Sequence, residues 1–150
     1  PILIALLFVL SIIPIMNEVN STTRFINPAE KKAMQWLQQI PIDSVLASQW
    51  DRGHPLAYLT GRQVVMDGYF EFAPQLDERN ESMKILASSS NCETLQAEKE
   101  KWGIDYFFVH NSALESLTYK NGLLEADCGF ISQVYASNNA KIISFDLIHS

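Results

Sequence analysis

The stretch ETLQAEKEKWGIDYFFV, residues 93–109, places a predicted helix directly before a predicted strand. Its polar first part predicts a helix over 93–102, which Gly103 ends because glycine adopts the left-handed C-cap conformation at the lowest cost. The run 105–109 contains aromatic and β-branched residues without polar alternation, which is typical of a buried strand. Because helices usually cover such strands, the stretch indicates an α/β fold.

The same alternation of helix and strand begins further upstream. Asn27 is suited to cap a helix, Pro28 fits its first position, and Glu30 completes a capping box three residues after the cap. Pro41 is predicted to end this helix, because proline cannot continue it. The next predicted elements are short strands at 44–48 and 63–66, a polar loop and turn between them at 49–59, and a helix at 77–87.

The last third of the chain predicts an antiparallel hairpin. Two β-prone runs, 131–136 and 141–145, are separated by the loop sequence SNNA at 137–140. Strands that alternate with helices favour a mostly parallel sheet, and the hairpin adds an antiparallel edge to it. The predicted fold class is therefore α/β, a small mixed sheet flanked by helices with a C-terminal antiparallel hairpin.

The first sixteen residues, PILIALLFVLSIIPIM, contain no charged side chain. A spanning helix needs about 20 apolar residues, so the run fits either the end of a transmembrane helix or a buried core helix. A secretory signal would need a positive segment before the run and a small-residue cleavage site after it, and both are missing. We expect residues 1–19 to end a transmembrane helix and 20–150 to form a soluble domain. The flank lacks a Lys/Arg cluster, which favours the extracytoplasmic side.

Composition restricts the partners. The chain has 150 residues, a net charge of -6 and no basic run, which argues for one domain and against nucleic acid. Cys92 and Cys128 form either a disulfide in an oxidising compartment or two buried thiols elsewhere. Without CxxC or Cys/His ligand spacing, a structural zinc site is not expected.

The densest chemistry lies directly after the strand 44–48. Loops at the carboxyl ends of strands in α/β sheets commonly bind ligands, and this one offers side chains of several chemical types. An indole would supply an apolar wall, and an ionised carboxylate would accept a hydrogen bond. The alternative is structural, with a carboxylate that satisfies turn donors and an indole in the core. The candidate residues are Trp50, Asp51, Arg52, Gly53 and His54.

Other sites are less well supported by the sequence. Arg62, Asp67 and Tyr69 form a possible secondary groove for a sugar or peptide, although packing also explains them. A metal site built from Asp51, His54, Asp67 and His110 would need loops to converge, and the spacing of these residues is not diagnostic. His110, after a buried strand, is expected to be a hydrogen-bonded boundary residue. We therefore predict no metal site, and the absence of GxSxG and of a glycine-rich loop disfavours a hydrolase and a nucleotide site.

The hexapeptide SQWDRG, residues 48–53, resembles the SWWDYG signature of the catalytic subunit of oligosaccharyltransferases. Trp50, Asp51 and Gly53 match that signature, whereas Gln49 and Arg52 replace a tryptophan and a tyrosine. The order of elements is also similar, with GRQVVMDG at 61–68 and WGIDYFFV at 102–109. In that family the signature holds the hydroxyl of the acceptor's serine or threonine.

The resemblance implies the soluble extracytoplasmic domain of an integral-membrane glycosyltransferase that uses a lipid-linked sugar. The WDxG segment would help to bind and position a polypeptide or glycan acceptor, and these residues alone would not be catalytic. A divalent metal would belong to the membrane portion, with no cofactor in this part of the protein. The alternative is a non-catalytic, membrane-anchored extracytoplasmic binding or assembly domain.

Overall fold

The computed structural model describes residues 26–66, 74–110 and 122–145. The first helices and strands are α1 (Pro28–Leu37), β1 (Val45–Ser48), α2 (Trp50–Thr60) and β2 (Gln63–Val64). They are followed by α3 (Leu76–Ser88), α4 (Cys92–Trp102), β3 (Tyr106–His110), a 3-10 turn (Leu123–Glu125), β4 (Ser132–Ala136) and β5 (Ala140–Ser144).

Within the described residues the strands form one five-stranded mixed sheet, in the order β2-β1-β3-β5-β4. β1 pairs in parallel with both β2 and β3, whereas β5 is antiparallel to β3 and to β4. The predicted mixed α/β class and the closing hairpin are thus confirmed. β4 and β5 form the antiparallel side of the sheet, and the three parallel strands carry the helical crossovers.

Side chains alternate across the strands and divide the core into two clusters. Leu46, Phe108 and Ile142 point to the face that α1 and α2 cover, whereas their chain neighbours point to the face that α3 and α4 cover. Phe107 and Phe108 therefore bury their rings on opposite sides of the sheet. Each ring contributes roughly 1.5–3 kcal/mol through burial, which explains why 105–109 lacks polar alternation.

The start of α1 and the end of α4 lie where the sequence predicts them, whereas α1 ends earlier than predicted. Asn27 caps α1, its side-chain oxygen accepting hydrogen bonds from the backbone N–H groups of Ala29 and Glu30. Gly103 ends α4 in the left-handed region at φ 63°, as predicted. α1 ends at Leu37, before Pro41, and the guanidinium of Arg62 binds the backbone carbonyls of residues 38 and 40 that follow it.

The loop and turn predicted at 49–59 is wrong, because this segment is helix α2, which ends at Gly61 with φ 68°. Pro55 lies inside this helix, although it lacks the N–H that would bond to the carbonyl of Asp51. Arg52 Nη1 lies 3.4 Å from that carbonyl oxygen and partly replaces the missing donor. Leu56, fully buried in the core cluster that contains Leu46 of β1, anchors the helix despite the proline.

A disulfide joins Cys92, the first residue of α4, to Cys128, with 5.6 Å between their Cα atoms. It fixes α4 to the segment that follows the 3-10 turn. The predicted transmembrane segment 1–19 and the proposed boundary at residue 20 lie outside the described residues, so both stay predictions. Among the helices that the structure describes, none combines the length and the hydropathy needed to cross a membrane.

Candidate functional site

The candidate site lies at the carboxyl ends of β1 and β3. Ser48, the last residue of β1, is in register with Phe108 of β3, and the two strands are parallel. Gln49 and Asp51 therefore leave the sheet at the same edge as His110, the last residue of β3. The fold brings together residues that are about 60 positions apart in the sequence.

The strands that follow β1 and β3 in the chain lie on opposite sides of this pair, because β2 lies beside β1 whereas β5 and β4 lie beyond β3. After β1 the chain enters α2, whose Leu56 packs with Leu46 in the first core cluster. After β3 the described chain resumes near the 3-10 turn, whose Leu123 packs in the cluster on the other face. In open α/β sheets, such a switch point opens a crevice outside the strand ends, where ligands bind.

Three side chains meet at this edge. His110, only 1% exposed, places its Nε2 atom 2.6 Å from Oε1 of Gln49. The same nitrogen lies 3.4 Å from Oδ1 of Asp51. Oδ1 is buried, and among the described residues no donor completes a hydrogen bond to it. The contact with His110 is therefore mainly electrostatic, and Oδ1 retains its capacity to accept a hydrogen bond.

Arg52 connects this group to the start of α1. Its Nη1 donates to Oδ2 of Asp51 at 2.8 Å, and its Nε donates to Oε2 of Glu30 at 3.1 Å. Glu30 is 2% exposed, and its other carboxylate oxygen accepts a hydrogen bond from Nδ2 of Asn27 at 2.8 Å. An alternating series of charges thus runs from Glu30 through Arg52 to Asp51.

The electrostatic environment favours the anionic form of Asp51. The Nε2–H of His110, 3.4 Å from Oδ1, lowers the pKa of Asp51 below its usual value of 3.8 even though it does not complete a hydrogen bond to that oxygen, and partial burial acts in the opposite direction. Attraction to His110 and Arg52 lowers the pKa further. Asp51 therefore remains ionised at neutral pH and presents a carboxylate, which accepts hydrogen bonds but cannot donate them.

The other predicted residues occupy different positions. Trp50 begins α2 and is 54% exposed, so it is not part of the core. His54 is exposed one turn later, and Gly53 is buried within the helix with no positive φ. Of the five predicted residues, Asp51 and Arg52 contact each other directly, and Trp50 lies beside them in the chain at the surface.

The secondary groove stays a prediction. Arg62 donates to the backbone carbonyls of residues 38, 40 and 60, so its guanidinium ties α1 to α2. Asp67 and Tyr69 lie outside the described residues. A metal site built from Asp51, His54, Asp67 and His110 would therefore also include a residue outside the described part of the chain. In the part of the chain that the structure describes, no three acidic, histidine or cysteine side chains form a group able to hold a metal ion.

Sequence reasoning missed two members of the site. Glu30 was interpreted only as a capping-box residue, because its spacing from Asn27 explains it completely. Gln49 was noted only as a replacement within the signature. The prediction that His110 is hydrogen-bonded is confirmed by its contact with Gln49, but the boundary position is wrong, because His110 is the last residue of β3 and is buried. The usable signal was its position at the end of a second buried strand, because parallel strands end at the same edge.

No protein-family model and no curated protein matches this chain. A solved structure does. The crystal structure of the C-terminal globular domain of oligosaccharyltransferase from Archaeoglobus fulgidus is similar with a TM-score of 0.62 and 12% sequence identity. The match covers 81% of this chain and 99% of that one. The resemblance drawn from the sequence is thereby confirmed at the level of the fold, which this chain shares with the C-terminal globular domain of an oligosaccharyltransferase.

Proposed function

We propose that this chain is the soluble extracytoplasmic domain of an oligosaccharyltransferase-like membrane glycosyltransferase, and that it helps to position the acceptor. The observation that carries the proposal is Asp51, an anion at a switch point of the sheet whose buried Oδ1 has no donor among the described residues. The shared fold and the WDxG sequence support the same conclusion.

The chemistry of the site suits binding better than bond breaking. Oδ1 of Asp51 accepts a hydrogen bond from a hydroxyl or N–H of the acceptor, while Arg52 fixes the carboxylate through Oδ2. Trp50 offers an exposed aromatic wall beside it. In this proposal the lipid-linked sugar and a divalent metal are held by the membrane portion, so the domain orients the acceptor and does not catalyse transfer by itself.

Substitution of Asp51 tests this function in the membrane enzyme that carries the domain. Asp51→Asn removes the charge at nearly constant size, and we expect sugar transfer to fall roughly 10- to 100-fold, the equivalent of one hydrogen bond to a charged group. Asp43→Asn is the matched control, because Asp43 is exposed and precedes β1, at the opposite end of that strand. Initial rates of transfer are measured in membranes, and the amount of folded protein is checked in parallel.

The outcome separates the two candidate functions. Loss of transfer in Asp51→Asn with unchanged protein level supports acceptor positioning. Unchanged transfer in both variants contradicts it and favours a binding or assembly domain. Two exposed aromatic residues of α2 refine the result, since Trp50→Ala should lower transfer whereas Tyr58→Ala, two turns further along, should not.

A further inference from the structure

Resting on the proposed function, we propose that Gln49 and His110 are positioning residues that keep the buried Oδ1 of Asp51 without a hydrogen bond from the described protein, so that this oxygen accepts one from a neutral hydroxyl or N–H donor of the acceptor. Neither residue needs to contact the ligand in this role. Gln49 acts on His110, and His110 acts on Asp51. The proposal concerns how the site is kept ready for its ligand and which chemical class that ligand has.

The hydrogen on His110 lies on Nε2. Oε1 of Gln49 is a carbonyl oxygen and only accepts hydrogen bonds, so Nε2 of His110 must carry the hydrogen in their 2.6 Å contact. Oδ1 of Asp51 is 3.4 Å from the same nitrogen, well beyond the usual length of a charge-assisted hydrogen bond. The N–H is therefore used mainly by Gln49, although its charge still acts on Asp51.

Gln49 and Asp51 compete for the single hydrogen on Nε2 of His110. Without the oxygen of Gln49, the nearest acceptor for Nε2–H is Oδ1 of Asp51, and a small shift of the ring closes the 3.4 Å gap. Oδ1 would then be occupied by His110. Since Arg52 already binds Oδ2, neither carboxylate oxygen would remain as ready to receive a ligand.

The charges around Asp51 favour a neutral ligand. Glu30 and Asp51 are negative and Arg52 is positive, which leaves one net negative charge when His110 is neutral. Both cation-to-carboxylate contacts of Arg52 are satisfied within the protein. A phosphate or carboxylate ligand would be repelled by this negative charge, whereas a neutral hydroxyl or amide N–H would donate the hydrogen bond that Oδ1 lacks.

Glutamine at position 49 provides an acceptor that the resembled signature lacks. The signature that this segment resembles has tryptophan at this place, and an indole N–H donates but cannot accept a hydrogen bond. A tryptophan there could not hold the Nε2–H of His110. The pairing of Gln49 with His110 is therefore a feature of this chain, built from two residues that the sequence separates by 61 positions.

NMR of the full protein tests the proposal without any ligand. Nitrogen resonances of the His110 imidazole report which ring nitrogen carries hydrogen, and the carboxyl carbon of Asp51 reports its pKa. Gln49→Met keeps the length of the side chain and removes the acceptor, so we expect Nε2–H to move to Asp51 and lower the pKa of Asp51 further. Gln49→Glu keeps the acceptor and adds an anion, so we expect the pKa of Asp51 to rise.

Gln133→Met is the matched control, because Gln133 is exposed on edge strand β4. It should leave both signals unchanged. The proposal is overturned by a wild-type His110 that lacks hydrogen on Nε2, by an equal shift in Gln49→Met and Gln133→Met, or by shifts of the same sign in Gln49→Met and Gln49→Glu. Two variants with opposite expected signs keep the test decisive even if one of them folds poorly.

Three probes test the ligand class. Threonine with blocked termini should shift the Asp51 carboxyl signal, whereas the equally blocked valine, which lacks the hydroxyl, and inorganic phosphate should not. In Gln49→Met the response to threonine should weaken about ten-fold. Equal responses to threonine and valine, or a response to phosphate, would show that the site does not select a neutral hydroxyl donor.

If the pKa of Asp51 shifts with the expected signs in the Gln49 variants but Asp51→Asn leaves transfer intact, the acceptor function fails and the hydrogen-bond arrangement stands. If Asp51→Asn abolishes transfer but the Gln49 variants do not shift the pKa of Asp51 as expected, the acceptor function stands and the positioning role of Gln49 and His110 fails.

Discussion

The two faces of the sheet are held by different forces. On the face of α1 and α2, apolar packing is accompanied by the series of ion pairs that includes the 3%-exposed side chain of Glu30. On the face of α3 and α4, the core cluster is larger and is held by a disulfide and by Trp102, which donates to Ser82 and lies under the guanidinium of Arg79.

The face of α3 and α4 mainly stabilises the fold, whereas the face of α1 and α2 also holds the candidate site. The ion pairs of Lys101 with Glu78 and Glu98 on the second face are partly exposed, so they contribute little to stability. The charges of the first face include the buried carboxylate of Glu30 and the largely buried guanidinium of Arg52, which hold the partly buried Asp51 at the end of β1. Changes to the second face should therefore alter stability and leave the site intact, whereas changes to the first face should alter both.

Removing the disulfide should give the largest loss of stability. Cys92 and Cys128 close a loop with a sequence separation of 36, and the double change to serine should lower the free energy of unfolding by about 2–4 kcal/mol. Urea unfolding measures this loss, and reduction of the wild-type protein should reproduce it. The His110 and Asp51 NMR signals should remain as in wild type, and a change in them would mean that the two faces are coupled.

Glu30→Gln should cost less and should alter the site. The amide keeps an oxygen for Asn27 but weakens the partner of Arg52, so we expect a loss of about 1–3 kcal/mol in the free energy of unfolding. Glu93→Gln is the matched control, an exposed glutamate in the first turn of α4 on the other face, and it should change stability by less than about 0.5 kcal/mol. Equal losses in the two variants would remove the distinction between the faces.

Sequence patterns predicted most of the fold because local signals and packing agree there. Asn27 and Gly103 end their helices by short-range chemistry, and 105–109 is apolar because both faces of β3 are covered. α2 was missed because Gly53 and Pro55 oppose a helix locally, while the burial of Leu56 and the cation of Arg52, which are tertiary effects, support one. The contacts of Glu30 and Gln49 depend on residues 22 and 61 positions away, which no spacing rule connects.

The smallest predicted effect is a pH dependence that belongs to Asp51. Because its folded-state pKa lies below the unfolded value of about 3.9, the carboxylate contributes stability above that value and loses it as pH falls through the folded pKa. Asp51→Asn lacks this contribution. We expect the difference in the free energy of unfolding between wild type and Asp51→Asn to be constant from about pH 5 to 7 and to shrink below about pH 4. Urea unfolding of both proteins at each pH measures it, and other carboxylates cancel in the difference. A difference that grows toward acid would mean that burial of Asp51 outweighs His110 and Arg52, and the site would then hold a protonated acid that donates a hydrogen bond.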